Sequence, residues 1–120
     1  MTINLIELNG TSAAEIISNI TEINNAQDAL DLLADCSYRG APNIILHQKN
    51  ITPDFFDLKT GIAGEILQKF STYRVRLAIV GDFSDYSSRS LKDFMYESNK
   101  TGRINFVNSV KEAKEAFLRH

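Results

Sequence analysis

The sequence has little cysteine, little histidine and no long apolar run, and each shortage excludes a class of protein. Its single cysteine, Cys36, excludes an internal disulfide. No apolar stretch approaches the roughly 20 residues that a membrane-spanning helix needs, and no signal-peptide pattern precedes the first apolar run. We therefore expect a cytoplasmic protein that does not interact with a membrane.

Metal, nucleic-acid and cofactor sites also lack their usual signatures. His47 and His120 have no cysteine partner at the spacing of metal ligands, so no metal site is predicted. The net charge is −2 and the basic residues are scattered, whereas a nucleic-acid-binding protein concentrates them in a stripe. Gly61 and Gly64 lack the preceding strand and the Lys-Ser ending of a phosphate-binding loop, and we expect them to permit close helix packing instead. Neither a nucleic acid nor a cofactor is predicted.

Length and composition are those of one ordered globular domain. The chain has 120 residues, of which 43% are hydrophobic and 23% are charged. This length is enough to bury a core without disulfides or a structural metal. A single domain spanning residues 1–120 is therefore predicted.

The first half of the chain predicts a hairpin, a helix and a buried strand. Two short apolar runs at residues 4–8 and 14–18 flank Asn9-Gly10, a turn signal typical of an antiparallel hairpin. From Asn25, apolar residues recur at helical spacing as far as Gly40, where such a helix would end. The continuous apolar run at residues 43–47 is typical of a central parallel strand.

The second half predicts strands alternating with helices. Thr52-Pro53-Asp54 carries the features of a helix start, but we expect a break near residues 57–60 before the stronger periodicity of residues 62–73. Strands are predicted at 75–80 and 104–107, with a helix capped by Ser87 or Ser88 between them and a capping-box helix after them. The order β-β-α-β-α-β-α-β-α predicts an α/β fold, in which a small mixed sheet opens with the hairpin and continues as parallel β-α-β units.

Three segments carry a resemblance to a known family. The run NITPDFFDLKTGIAGEILQKF at residues 50–70, AIVGDF at 78–83 and FMYESN at 94–99 resemble the bacterial family of domains of unknown function numbered 4180. That family has no assigned activity, so the resemblance implies no catalytic residue. More distantly, the order of elements is similar to the STAS, or anti-sigma-factor-antagonist, fold. Fold analogy of this kind does not imply function.

The STAS resemblance singles out one residue. In antagonists of that type, a serine or threonine followed by glycine and an aliphatic residue opens a helix and is phosphorylated, and Thr60-Gly61-Ile62 is similar. Thr60 is therefore a hypothetical phosphorylation site, because a phosphate there would meet the unpaired N–H groups of a helix N-terminus. The alternative is that Thr60 is only a local cap or turn residue.

Candidate catalytic residues come from the expected sheet geometry. In open parallel sheets ligands bind beyond the carboxyl ends of the strands, which is where His47 and Asp82 follow their strands. Glu65, on the intervening helix, could face the same crevice, and these three side chains are the candidates for acid–base catalysis. The alternative is structural, with His47 a hydrogen-bonded residue at a strand end and Asp82 a turn former.

Candidate binding residues lie in the irregular segment that follows the first parallel strand. Adjacent aromatics such as Phe55 and Phe56 point about 100° apart on a helix, so one of them could be exposed as an interface anchor, unless both are in the core. With Asn50, Asp57 and Asp82 they form the predicted recognition surface. The preferred hypothesis is a non-enzymatic regulatory or binding module of STAS-like type. Its predicted partner is another protein or a second copy in a homodimer, and the alternatives are a small-molecule ligand and a small enzyme.

Overall fold

The computed structural model describes residues 1–119, and the chain opens with an antiparallel hairpin. Its strands are β1 (Thr2–Leu8) and β2 (Thr11–Ile17). Both begin earlier than the apolar runs suggested, because backbone pairing sets their ends. The register extends from Thr2 opposite Ile17 to Leu8 opposite Thr11, and therefore includes polar residues at the rim of the sheet.

The rest of the chain alternates helices and strands as predicted. In order, the elements are α1 (Ala26–Tyr38), β3 (Asn43–His47), α2 (Ile62–Tyr73), β4 (Arg76–Val80), α3 (Arg89–Thr101), β5 (Ile104–Val107) and α4 (Val110–Arg119). Strands β2 to β5 pair in parallel, and the sheet has the sequential order β1-β2-β3-β4-β5. The predicted α/β fold with a mixed sheet is therefore confirmed. No helix within residues 1–119 is both long enough and apolar enough to cross a bilayer.

The sheet is covered unequally on its two faces. Alternate residues of the strands, such as Ile44 and Leu46 of β3, pack in the main core with α1, α2 and α3. The intervening residue Ile45 belongs to a smaller cluster on the opposite face, with Ala113 and Phe117 of α4. The three parallel crossovers thus share one face, and among the helices of residues 1–119 only α4 covers the other.

Side-chain caps fix the starts of the helices. Asn25 accepts a hydrogen bond from the backbone N–H of Asp28 at the start of α1, and Ser88 accepts one from Leu91 at the start of α3. Ser109 accepts one from the N–H of Glu112, as the predicted capping box requires, but the Glu112 carboxylate accepts from the N–H of Asn108 and not from that of Ser109. Of the two alternatives for the third helix, Ser88 is the cap.

Residues 48–60 are here called the 3-10 segment, and its part from Thr52 onward takes the place of the first part of the expected helix. They form three short 3-10 turns, Gln48–Asn50, Pro53–Phe56 and Leu58–Thr60. The predicted break at residues 57–60 is confirmed, and Gly61 follows it with φ +77 before α2 begins. The expected close packing at Gly61 and Gly64 is wrong, because an added Cβ at either glycine would have nothing within 4 Å.

Candidate functional site at the carboxyl end of the sheet

An aromatic cluster fills the carboxyl end of the sheet. Phe56 stacks on Tyr86, with 4.9 Å between ring centroids, and also lies 5.8 Å from the ring of Phe83. Phe83 meets Phe106 of β5 edge to face at 5.5 Å. Because Phe56 belongs to the 3-10 segment and Tyr86 to residues 81–88, here called the Asp82 loop, the cluster joins the two into one surface.

A hydrogen bond and a close approach strengthen the same junction. Gln48, just after β3, donates from Nε2 to the hydroxyl of Tyr86 at 3.0 Å. Its side chain also passes over the end of β4, where a Cβ added to Gly81 would lie 2.7 Å from the Gln48 Cβ. Side chains therefore occupy the place above β3 and β4 where an open crevice was expected.

The two phenylalanines of the 3-10 segment are both in the core. Phe55 is 0% exposed and Phe56 is 6% exposed. Of the two alternatives, the one in which a ring is exposed as an anchor is therefore wrong, and the one in which both rings are buried is confirmed. Any contribution of these residues to binding is indirect, through the shape that they give to the loops above them.

The three candidate acid–base residues are not brought together. His47 lies on the face of the sheet that α4 covers, where its Nε2 is 3.0 Å from a carboxylate oxygen of Glu15. Glu65 is exposed on α2, which packs on the opposite face. Asp82 is exposed on its loop at the sheet end. The strand pleat is the reason, since it directs His47 away from the α2 side.

Asp82 is held as an anion by its own loop. Its Oδ1 accepts hydrogen bonds from the backbone N–H of Ser84 at 3.0 Å and from the Ser84 hydroxyl at 2.7 Å. These two bonds lower the pKa of Asp82, the hydroxyl contributing more than the backbone N–H. Its carboxylate shapes the turn and stays accessible at the surface.

Asn50 fastens two connections inside the protein. It is buried, and its Nδ2 donates to the carbonyl oxygens of Ser18 at 3.0 Å and Ile20 at 2.9 Å. Its own backbone carbonyl accepts from the N–H groups of Glu22 and Ile23. The Oδ1 atom is buried with no hydrogen-bond partner among the described residues. Asn50 is therefore placed to hold the β2–α1 connection against the 3-10 segment.

Thr60 closes the last turn of the 3-10 segment. Its hydroxyl lies 2.8 Å from the carbonyl oxygens of both Asp54 and Asp57, which are its acceptors, and it accepts a weaker bond from the N–H of Ile62. Asp57 supports the same turn, because its Oδ1 accepts from the N–H of Lys59. The residue is exposed and lies next to the first turn of α2. A modifying enzyme could therefore reach the Thr60 hydroxyl from solvent. A phosphate there would replace the hydroxyl proton and remove the hydrogen bonds to the carbonyls of Asp54 and Asp57.

The surface above the aromatic cluster is acidic. The exposed residues of the two joined segments include four carboxylates, Asp54, Asp57, Asp82 and Asp85, against two lysines, Lys49 and Lys59. We call the exposed side chains of residues 49–60 and 82–86 the carboxyl-end surface. Sequence reasoning missed Phe83 and Tyr86, although aromatic residues shortly after a strand end indicate that side chains close this end of the sheet.

Neither a metal centre nor a reactive thiol emerges from the described residues. Within residues 1–119, no group of three or more histidine, cysteine, aspartate or glutamate side chains is placed to hold a metal ion. His120 lies outside the described residues. Cys36 is completely buried, and burial, with a smaller effect of the Asp35 charge, raises its pKa to about 11. A thiol with so high a pKa is almost entirely protonated at neutral pH.

Comparison with known proteins gives a family and no activity. A family model described as Domain of unknown function (DUF4180) matches residues 8–117, which is most of the chain. No curated protein and no solved structure matches it.

Proposed function

The chain belongs to the family Domain of unknown function (DUF4180), and because that description assigns no activity, we propose its function from the geometry of the carboxyl end of the sheet. We propose a non-enzymatic, cytoplasmic regulatory or binding module of STAS-like type. Its carboxyl-end surface recognises a protein partner.

The observation that carries the proposal is the contact of Phe56 with Tyr86 and Phe83. It joins two irregular segments into one firmly packed surface. Loops held on a rigid scaffold in this way are the usual carriers of recognition. The alternative is an enzyme that uses His47, Asp82 and Glu65, and it is not supported because His47 and Glu65 lie on opposite faces of the sheet.

The charge of this surface favours a basic partner over a second copy of the chain. Four exposed carboxylates against two lysines give it a negative balance, and the chain as a whole has a net charge of −2. Complementary charge steers partners together, and like charges across an interface repel. Two copies meeting through this surface would bring eight carboxylates together, so a different protein with exposed lysine or arginine side chains fits better.

Charge reversal on the surface tests the proposal. Asp54 and Asp85 are suited to charge reversal, because both are exposed and neither side chain makes a hydrogen bond within residues 1–119. A double Asp54→Lys, Asp85→Lys variant should therefore fold normally. Proteins retained from native cells by the immobilised chain would be identified by mass spectrometry. We expect the double variant to retain its main basic partner at least about tenfold less well than the unaltered chain.

A matched control separates the surface from total charge. Glu7 of β1 and Glu115 of α4 are exposed and lie outside the carboxyl-end surface, and their double lysine variant changes the net charge by the same amount. Retention by this control should equal that of the unaltered chain. Equal retention by both double variants, or loss in the control alone, would refute the proposed surface.

Phosphorylation of Thr60 is the regulatory part of the proposal. A phosphate would add about −1.5 to −2 charge and remove the hydroxyl proton that the Asp54 and Asp57 carbonyls accept, which would loosen the segment. We expect Thr60→Asp and Thr60→Val to weaken partner retention, and Thr60→Ser, which keeps a hydroxyl, to preserve it. A Thr60→Asp variant that binds normally, together with no phosphate on Thr60 in protein from native cells, would disprove the switch.

A further inference from the structure

A pocket opens at the other end of the sheet, where strands β3 and β4 begin. Its volume is about 370 Å³, within the range of small-molecule sites. The lining residues are Asn9, Thr11, Pro42, Asn43, Arg74, Arg76, Phe117 and Leu118. The pocket thus combines the hairpin turn, the starts of two strands, the end of α2 and the end of α4. It shares no residue with the carboxyl-end surface, so this inference does not depend on the proposed function.

The pocket is positively charged. Two arginines line it, and no carboxylate side chain of residues 1–119 does. The pKa of Arg76 is lowered mainly by burial and to a smaller extent by the positive charge of a third arginine, Arg103. Arg103 therefore lies close enough to add to the positive charge of this region. Within residues 1–119, neither Arg74 nor Arg103 forms an ion pair. An anion entering the pocket would therefore meet a positive potential.

Arg76 is a fixed charge at the back of this pocket. Its guanidinium donates to the carbonyl oxygens of Ala116 and Phe117, each at 2.8 Å, and to that of Gly102 at 3.2 Å. Two of these carbonyls belong to the last turn of α4, whose dipole favours a cation there. These carbonyl acceptors fix the orientation of the guanidinium.

Arg74 occupies a backbone position at which glycine would be more stable. It ends α2 with φ 57, and within residues 1–119 it is the only residue other than glycine with a positive φ. Helices α1 and α3 are followed by glycines at comparable angles, Gly40 and Gly102. Residues held in unfavourable backbone conformations occur preferentially at functional sites. Arg74 occupies this position although glycine would suit it better, and its side chain lines the pocket. We infer that the arginine side chain has a role in the pocket.

The remaining lining residues define the kind of anion. Asn43 donates from Nδ2 to the hydroxyl oxygen of Thr11 at 3.2 Å, which leaves the Thr11 proton free to donate to a ligand. Pro42, Phe117 and Leu118 supply an apolar side to the pocket. We propose that this pocket binds a small organic anion, a carboxylate or a phosphate monoester with a short apolar body, whose charged group meets Arg74 and Thr11.

Calorimetric titration of the whole chain with benzoate, phenyl phosphate and inorganic phosphate tests this site. At least one of the two organic anions should bind saturably, and at least about fivefold more tightly than inorganic phosphate, because only they can use the apolar side. The stronger of the two identifies the charged group. The absence of saturable binding for both organic anions up to roughly 10 mM, or equally tight binding of inorganic phosphate, would overturn the proposal.

An Arg74→Gly variant separates ligand binding from the structural role of the residue. Glycine suits the left-handed conformation, so the melting temperature should stay the same or rise by a few degrees. Affinity for the organic anion should fall by about tenfold or more, since a charged hydrogen bond is lost. If Arg74 only ended the helix, its glycine variant would bind as tightly as the unaltered chain, and that result would refute the site.

Two further variants complete the experiment. Arg39→Gln removes one positive charge at the same end of the molecule, from an exposed arginine that does not line the pocket, and should leave the affinity unchanged. Leu118 lines the pocket and is 52% exposed, so Leu118→Glu places a carboxylate there without opening the core. We expect this variant to abolish binding, and normal binding by it would contradict the assignment.

Discussion

The two ends of the sheet are built from opposite kinds of side chain. At the carboxyl end, Phe56, Phe83 and Tyr86 pack over the strands and close the space above them. At the amino end, Arg74 and Arg76 line an open pocket of about 370 Å³. In this protein the end where a parallel sheet usually binds ligands is used for packing, and the other end keeps a cavity.

Topology explains why the carboxyl end is closed. A crevice forms where the connections after two neighbouring strands leave toward opposite faces of the sheet. The connections after β3 and β4 lead to α2 and α3, which cover the same face, so the chain does not diverge between these strands. It diverges only between β4 and β5, because α4 lies on the other face, and there the rings of Phe83 and Phe106 fill the gap.

The largest effect is expected from opening the closed end. Phe56→Ala removes the ring that joins the 3-10 segment to the Asp82 loop, and should lower the free energy of unfolding by about 3–5 kcal/mol. Chemical denaturation measures this loss. Tyr96→Ala is the control, since that ring is 63% exposed and should contribute less than about 0.5 kcal/mol. Similar losses for the two variants would mean that the aromatic cluster does not hold the carboxyl end together.

The pH dependence of stability tests whether solvent that enters the open amino end also reaches the buried core residue Cys36. Cys36 lies near the end of α1 and is 0% exposed, and its pKa is raised from 9.0 to about 11. As the pH rises, the unfolded chain therefore loses the thiol proton before the folded chain does. The stability due to the neutral buried thiol is complete below pH 9 and is lost as the pH rises through 11, by about 2–3 kcal/mol.

Comparison with Cys36→Ala isolates this term. Other groups titrate in the same range in both proteins, so the measured quantity is the difference between their slopes of unfolding free energy against pH. The unaltered chain should lose stability more steeply between pH 9 and 11. Parallel slopes would show that solvent reaches the thiol, so that the open amino end extends into the core.

The fold was readable from the sequence because its signals are local. The spacing of apolar residues, the Asn9-Gly10 turn and the Ser109 to Glu112 capping box each depend on neighbours in the chain. Strand ends were less readable, since the pairing of Thr2 with Ile17 depends on the partner strand and not on the apolarity of either residue.

The candidate site was less predictable, because it depends on which face each helix covers. Sequence reasoning placed His47, Glu65 and Asp82 in one crevice, but strand pleat and helix placement separate His47 from Glu65. Arg74 gave no signal in the sequence, since its importance comes from a backbone angle that only the structure shows. Local pattern thus identifies elements, whereas the geometry of a site requires their arrangement in space.

The smallest expected effects come from two glycines that sharpen the contrast between packed and open positions. At Gly81 an added Cβ would lie 2.7 Å from the Gln48 Cβ, so Gln48 would have to shift and its hydrogen bond to Tyr86 would be strained. We therefore expect Gly81→Ala to destabilise the protein by about 1–3 kcal/mol. At Gly64, inside α2, nothing lies within 4 Å, and Gly64→Ala should stabilise it by about 1 kcal/mol through helix propensity. The denaturation midpoint should fall for Gly81→Ala and rise for Gly64→Ala, and this result would show that the tight packing lies at the carboxyl end. A Gly81→Ala variant as stable as the unaltered chain would show that Gln48 moves aside freely, and that the closure depends on the aromatic rings alone.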